Sequence, residues 1–404
     1  MKRILCFCLV LCSVALLAAC GDTTTQDPSQ VPTQAPTQSG EATPTDGGTS
    51  KETTKPTAGT QATPTAPVTI VPTSTPSSGS NQPNALAQAR AKTQIGIWYA
   101  IWYDEGAGSI WENDRGPTQQ PIYYRPLLKN GTYGTYKSSD SEIMQWHLEE
   151  ISNAGIDFII FDQTNDIDTG NGQLSNNAIR TVGYIKRWND AGNRPIKYCS
   201  AIGAYAALNN DMTIIESEAK KLWERYCEKS FGTEDYHLYV DGKPLMIIFE
   251  VGVDEWNAYK AANPGKTPYA DKFTIRFAEG HAYEPGYWGW VMPKGTLVNE
   301  DVACIIPGWY KFNHPYEKVY RNKGKTYQKN WETVLASDII PNHIVINSFN
   351  EYAEHTAVFT AKTTGFPSGY PIEKWIDSTG KENPSMYWDM TKLYISKYRN
   401  GDRK

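Results

Sequence analysis

"IDFIIFDQT", Ile156–Thr164, decides how the rest of the chain is read. A strand with one wet face alternates apolar and polar residues, whereas Phe158–Phe161 is a solid apolar run, as in a strand covered on both faces. The run ends on an acid, Asp162. Similar runs recur: "IGIWYAIWYD" (Ile95–Asp104), "IKYCSAIGAY" (Ile196–Tyr205), "KPLMIIFE" (Lys243–Glu250), "KFTIRFAEGHA" (Lys272–Ala282), "VACIIPGWY" (Val302–Tyr310) and "HIVINSFNE" (His343–Glu351). Segments of helical period lie between them: Ser139–Gly155, Asn176–Gly192, Ile214–Phe231, Asp254–Asn263 and Lys325–Ser337, with Asn383–Gly401 closing the chain. Ser139 or Asp140 is placed to cap the first of these and Gly155 to end it. Covered strands alternating with helices predict an α/β fold with a parallel sheet. Seven or eight such units favour a (β/α)8 TIM barrel over an open sheet. No glycine-rich phosphate loop follows a strand, which weakens a dinucleotide-binding alternative.

The start of the chain has a different composition. "MKRILCFCLVLCSVALLAAC" has a basic pair, an apolar run and Leu17-Ala18-Ala19-Cys20, the pattern of a bacterial lipoprotein signal peptide cut before Cys20. The expected division is residues 1–19 as signal peptide, 20–84 as a disordered Thr/Pro/Ser-rich linker and 85–404 as the folded domain. The linker cannot bury enough apolar surface to offset its ordering entropy, so it is read as a tether. The expected location is therefore outside the cytoplasm, at the bacterial surface or in the periplasm. There a lipid on Cys20 would hold a monomer to the membrane. Of the seven cysteines, Cys199, Cys227 and Cys304 remain in the folded part. Their number and spacing argue against a zinc site or disulfide framework. The net charge of −5 and the absence of a basic patch exclude a nucleic-acid partner from the reading. "NDIDTGNGQ" (Asn165–Gln173) has the look of a partial calcium loop but lacks its terminal glutamate, so a polar rim loop is expected.

All thirteen Trp and twenty-five Tyr fall in the folded part, a density that suits stacking on sugar rings, although most should be core. In a barrel of this kind chemistry sits at the C-terminal ends of the strands. The chain repeatedly puts polar and aromatic groups there: Trp102, Tyr103 and Asp104; Asp162; Tyr205; Glu250; Glu279 and His281; Trp309 and Tyr310. The richest such stretch is "SFNEYAEHT" (Ser348–Thr356), with Glu351 and Glu354 three residues apart. On a helical turn the two would share a face. Asn350 is expected to donate to a sugar hydroxyl, and Tyr352 and His355 to add a stacking or hydrogen-bonding surface. Glycosidic cleavage needs a proton donor and a second group to stabilise or trap the cationic sugar, and carboxyls serve both needs.

"SFNEYAEHT" resembles the S-[WFY]-N-E-[WF]-x-E-G-T motif of glycoside hydrolase family 99 and the family 71/99-like barrels. "AGIDFIIFD" (Ala154–Asp162) and "VDGKPLMIIFE" (Val240–Glu250) resemble their second- and fourth-strand segments. The resemblance implies an endo-acting, retaining α-mannosidase or mannanase that needs no metal or cofactor. It also implies that Glu351 takes the proton of the sugar 2-hydroxyl, while Glu354 protonates the leaving group and then activates water. The chain departs from the motif at Tyr352, where Trp is usual, at His355, where Gly is usual, and at "AVFTAK", which replaces an acidic-proline stretch. A rival arrangement pairs Glu250 with Glu351 as acid/base and nucleophile, although Phe249 stands where that arrangement has Asn. The other classes are a non-catalytic glycan-binding lipoprotein on the same barrel and a solute-binding protein for a transporter.

Overall fold

The computed structural model describes residues 84–105, 109–111, 122–168, 172–203, 211–228, 234–278, 286–289, 296–311, 318–366, 368–370 and 373–404. The signal peptide, Cys20, nearly all of the linker, Tyr205, Glu279 and His281 lie outside the described residues. No helix among the described residues is long and apolar enough to cross a membrane.

In chain order the elements are α1 (Ala85–Arg90), β1 (Gln94–Ala100), β2 (Arg125–Pro126), α2 (Ser141–Asn153), β3 (Phe158–Gln163), α3 (Gln173–Asp190) and β4 (Lys197–Gly203). They continue with α4 (Thr213–Leu222), which runs into a π-helical turn over Trp223–Cys227, then β5 (Tyr239–Val240), β6 (Lys243–Phe249), α5 (Val253–Ala262) and β7 (Thr274–Ala278). The last are β8 (Val302–Ile305), α6 (Lys325–Ala336), β9 (His343–Ile346), β10 (Ala361–Lys362) and α7 (Met386–Asn400). Local chemistry accounts for the boundaries. Asp140 Oδ1 accepts the N–H groups of Glu142 and Ile143 at the start of α2, satisfying donors that a helix start leaves open. Gly155, at φ 88°, ends it. Between these signals, Ile143, Met144, His147, Leu148 and Ile151 fall on one buried face.

Seven strands pair in parallel in the order β7-β6-β4-β3-β1-β9-β8. The first strand lies between the second and the last, and neighbours follow chain order in both directions, which is the connectivity of a TIM-like α/β fold. Between β7 and β8 the Trp288 N–H donates to Phe277 O of β7 at 2.7 Å. The Trp288 indole N–H reaches Asp301 Oδ2, next to the start of β8, at 2.9 Å. The expected eighth unit has no strand among the described residues there. β2 and β10 form a small separate antiparallel pair, and β5 is antiparallel to β6.

Side chains of one parity face the sheet's concave interior. Gly96 and Phe158 are register partners, and a Cβ on Gly96 would lie 2.1 Å from the Phe158 ring. Trp98 Nε1 donates to Trp288 O at 2.7 Å across the interior. Tyr99 and Phe161, of the other parity, pack outward, Tyr99 through a 2.8 Å contact of its hydroxyl with His147 Nδ1 on α2. The start and the end of the folded domain are stitched together. Arg399 of α7 donates to Arg90 O and Thr93 O at 2.9 and 2.7 Å and pairs with Asp157 at 2.7 Å. Arg90 donates to Leu335 O at 2.7 Å and Asp402 O at 2.6 Å.

Candidate active site

Interior parity followed upward makes Ala100 and Ala201 the register partners of Asp162 near the C-terminal rim, so a small side chain flanks the acid on either strand. Asp162 is 5% exposed, and its Oδ1 accepts from Thr164 N at 3.2 Å and Thr164 Oγ1 at 2.8 Å. Desolvation pushes its carboxyl up to about 6; the Glu354 charge adds to this, while the Thr164 bonds and Lys311 oppose it.

Beyond β9 the chain folds back on itself. Ser348 Oγ accepts the Glu351 N–H at 2.8 Å, and Glu351 O accepts the N–H groups of Thr356 and Ala357 at 3.0 and 3.1 Å. No helix forms here. The Glu351 carboxylate instead caps the turn, Oε1 accepting Ala353 N at 2.7 Å and Glu354 N at 3.0 Å. That turn brings the two acids together. Glu351 is 3% exposed, and desolvation, reinforced by the charges of Glu354 and Asp162, holds its pKa well above the carboxylate range against the two N–H bonds. Glu354 is met from the loop after β8: Trp309 Nε1 is 3.0 Å from Oε2 and Lys311 Nζ is 3.0 Å from Oε1. Glu250, just after β6 at φ 62°, is solvent-exposed. Partial desolvation still raises its pKa, opposed by Lys311 and aided by Glu354. Asp162, Glu250, Glu351 and Glu354 thus form one interacting set around Lys311.

Several expected ligand contacts are structural. Asn350 is fully buried: Oδ1 accepts Ala100 N at 2.8 Å, and Nδ2 donates to Ala100 O at 2.9 Å and to the Tyr136 hydroxyl at 2.8 Å. Both its donors are committed, so the expected sugar contact is corrected to a strut between β1 and the Glu351 turn. Tyr103 is buried, its hydroxyl donating to Asn350 O at 2.6 Å and accepting Tyr352 N at 3.1 Å. Tyr352 is fully buried among Tyr103, Trp111 and Tyr124, so it offers no stacking face. The Glu351 turn demands this packing beneath it. His355, at φ 57°, bonds the Tyr124 hydroxyl through Nδ1 at 3.0 Å, and burial holds it neutral, its pKa lowered to about 3.

Other candidates stay at the rim. Trp102 and Asp104 are half-buried, Asp104 Oδ1 taking the Ile110 N–H at 3.4 Å. Trp309, Tyr310 and His355 border a small cleft with Tyr320, Lys318 and Arg321. Lys311 and Arg321 were not anticipated from the sequence. Arg321 is buried, donates to His355 O and Ala357 O at 2.7 Å each, and lies 4.4 Å over the Tyr387 ring. In the calcium-like stretch Asp168 pairs with Lys221 at 3.1 Å and Arg225 at 2.8 Å, and Asp166 with Lys221 at 3.3 Å. These acids are neutralised by side chains, as a rim loop requires. No cluster of three or more His, Cys, Asp or Glu side chains suited to a metal occurs among the described residues. Cys199 is a buried free thiol, and Cys304 is buried as well.

Comparison with solved structures bears on the fold. A GH99 endo-α-mannosidase from Bacteroides thetaiotaomicron, in complex with BIS-TRIS-propane, is similar to this chain with a TM-score of 0.54 at 17% identity, covering 76% of this chain and 98% of that one. A second structure of that enzyme gives 0.55 at 16% identity with the same coverage. At this identity the likeness is one of fold. No family model matches the chain, and no curated protein matches its sequence.

Proposed function

We propose that the chain is a (β/α)8 glycoside hydrolase, endo-acting and retaining on an α-linked polysaccharide or glycan, mannan-like by its resemblance. Lipid on Cys20 would hold it outside the cytoplasm. The observation that carries the reading is the joined pair at the rim: Glu351 buried, its pKa raised by desolvation, and Glu354 beside it with a donor on each oxygen. Two carboxyls in unlike environments are what acid-assisted glycosidic cleavage requires. The fold shared with the GH99 endo-α-mannosidases supports the substrate class.

The test is oligosaccharide release from α-mannans, α-glucans and xylans by the full-length protein and its Glu351→Gln and Glu354→Gln variants. Release by the wild type and loss in both variants is expected. A mild effect of Glu354→Gln beside a severe one of Glu250→Gln would favour the Glu250/Glu351 pair instead. The second reading is a glycan-binding lipoprotein. It is favoured by the internal commitment of Asn350 and the burial of Tyr352, which leave few ready sugar contacts on the motif itself. Binding without release, intact in all variants, would decide for it.

A further inference from the structure

Two cations on the cleft beside the Glu351 turn have no counter-charge. Tyr310, Lys318, Tyr320, Arg321, His355 and Glu373 line this cleft, and the Tyr310 N–H joins it to the turn by donating to Glu354 O at 3.1 Å. Arg321 is 3% exposed. Its Nη2 is spent on His355 O and Ala357 O, while Nε and Nη1 are buried with no acceptor in hydrogen-bond geometry. Among the described residues no carboxylate forms an ion pair with it. It rests on the rings of Tyr387 and Trp375, 4.4 and 5.1 Å from its guanidinium carbon. Buried charges are ordinarily paired, and ring faces return only part of what a cation loses on leaving water. Lys318 is half-buried, its Nζ 4.5 Å over the Tyr310 ring, and it too has no ion pair among the described residues. Glu373 is the acid on the described wall, and its Oε2 takes the Asn322 N–H.

The same wall sets which nitrogen of His355 carries the proton. Nδ1 lies 3.0 Å from the Tyr124 hydroxyl, and one of the two must donate. Trp375 and Arg321 act on that hydroxyl as donors, opposing the desolvation that raises it to about 12. The Trp375 indole N–H, like the two Arg321 nitrogens, has no acceptor at full hydrogen-bond geometry. Neither side chain can accept a proton in return. An oxygen approached by such donors keeps its lone pairs for them and gives its own proton to Nδ1. Neutral His355 is then the Nε2–H tautomer, which leaves it one donor free of the Tyr124 bond.

We propose that the cleft is a subsite for an oxyanion of the glycan, a uronate carboxylate or a phosphate ester, bound by the Lys318 ammonium and the His355 Nε2–H in the field of Arg321. Resting on the glycoside hydrolase reading, this makes the substrate an acidic glycan with its charged group seated beside the Glu351 turn. Tyr320, 52% exposed, offers a ring face to the sugar that carries the charge. His355 stands where the resembled motif has Gly, so this donor is the chain's own.

The experiment is ¹⁵N NMR of the full-length protein labelled at its six histidines, with His355→Gln assigning the resonance. Without ligand, His355 is expected as the neutral Nε2–H tautomer, and the Nδ1–H tautomer overturns the proposal. Mannuronate, mannose 6-phosphate and mannose are then titrated separately. Saturable movement of the His355 Nε2 signal is expected with at least one of the two acids and not with mannose at the same concentrations, and the tighter acid identifies the oxyanion. Lys318→Met should weaken that binding about tenfold or more, the effect of losing a charged hydrogen bond, and Lys318→Arg should keep most of it. No response to either acid, an equal response to mannose, or an affinity unmoved in Lys318→Met overturns the proposal. Should the Met variant misfold by circular dichroism, the wild-type comparison of acids with mannose still decides. Failure to cleave any glycan counts against the hydrolase reading alone, because the titration reports without turnover. Cleavage of neutral glycans with no preference for either acid sinks the subsite alone.

Discussion

Replacing Asn350 by Ala separates a strut from a sugar ligand. The substitution removes three side-chain hydrogen bonds, to Ala100 N, Ala100 O and the Tyr136 hydroxyl, at a site with no exposure. Each bond contributes about 1 kcal/mol net, and each buried partner left unmatched costs about 1–3 kcal/mol. The loss should therefore be about 3–6 kcal/mol, a large share of the roughly 5–15 kcal/mol that stabilises a domain. Urea unfolding followed by fluorescence of the thirteen Trp should show a lower midpoint at unchanged slope. Asn350→Asp sharpens the test. Its second oxygen would face Ala100 O, where Nδ2 now sits at 2.9 Å, so the folded state would hold that acid protonated and its pKa would rise. A raised folded pKa means stability present below the unfolded value of about 3.9 and lost as pH rises. The Asp variant should thus be worst at neutral pH and recover in acid. A wild-type midpoint for Asn350→Ala together with weakened glycan binding would refute the strut.

Three further outcomes are expected. Burial depresses His147 and His355 to about 3 and His237 to about 4; for a group depressed in the folded state, stability is present above the unfolded pKa near 6.5 and is lost as pH falls. Urea midpoints should drop steadily from pH 7 toward 4, with up to about 3–5 kcal/mol at stake per histidine, and a flat profile would refute it. Asp162, raised from 3.8 to about 6, costs the folded state stability as pH climbs through that window. Asp162→Asn should therefore melt higher than wild type at pH 7.5, by up to about 3 kcal/mol, with no gain at pH 3.5, while any glycosidase activity falls. Gly203→Ala should abolish soluble protein, since its Cβ would lie 1.6 Å from Thr164 O; Gly192→Ala, at φ 78° with nothing within 4 Å, should cost only about 1 kcal/mol.

Strand existence was legible because burial on both faces writes solid apolar runs, and Phe158–Gln163 and Lys243–Phe249 fall inside the expected segments. The expected strands ran too far at their C-terminal ends. His343–Glu351 becomes His343–Ile346, because apolar and aromatic residues continue into the rim loops to pack the core. That continuation also misdirected the aromatic candidates. Tyr103 and Tyr352 sit at strand ends yet point into protein, and sequence alone does not give a side chain's direction beyond the last ladder bond. Lys311 lay one residue past the expected strand Val302–Tyr310, and Glu354 is forty-three positions away. Only the sheet order, which sets β8 beside β9, joins them.

The stitching of Arg90 and Arg399 places the first and last helices of the domain in each other's keeping. Because β1 is flanked by β3 and β9, the sheet lacks one edge partner until the final strand arrives. A growing chain therefore holds β1, whose Ala100 anchors the Asn350 strut, without one neighbour until His343–Ile346 have been made. Synthesis order and assembly order diverge: the sheet strand made first waits for the sheet strand made last, and a form clipped within α7 before Arg399 would forfeit the bonds to Arg90 O, Thr93 O and Asp157.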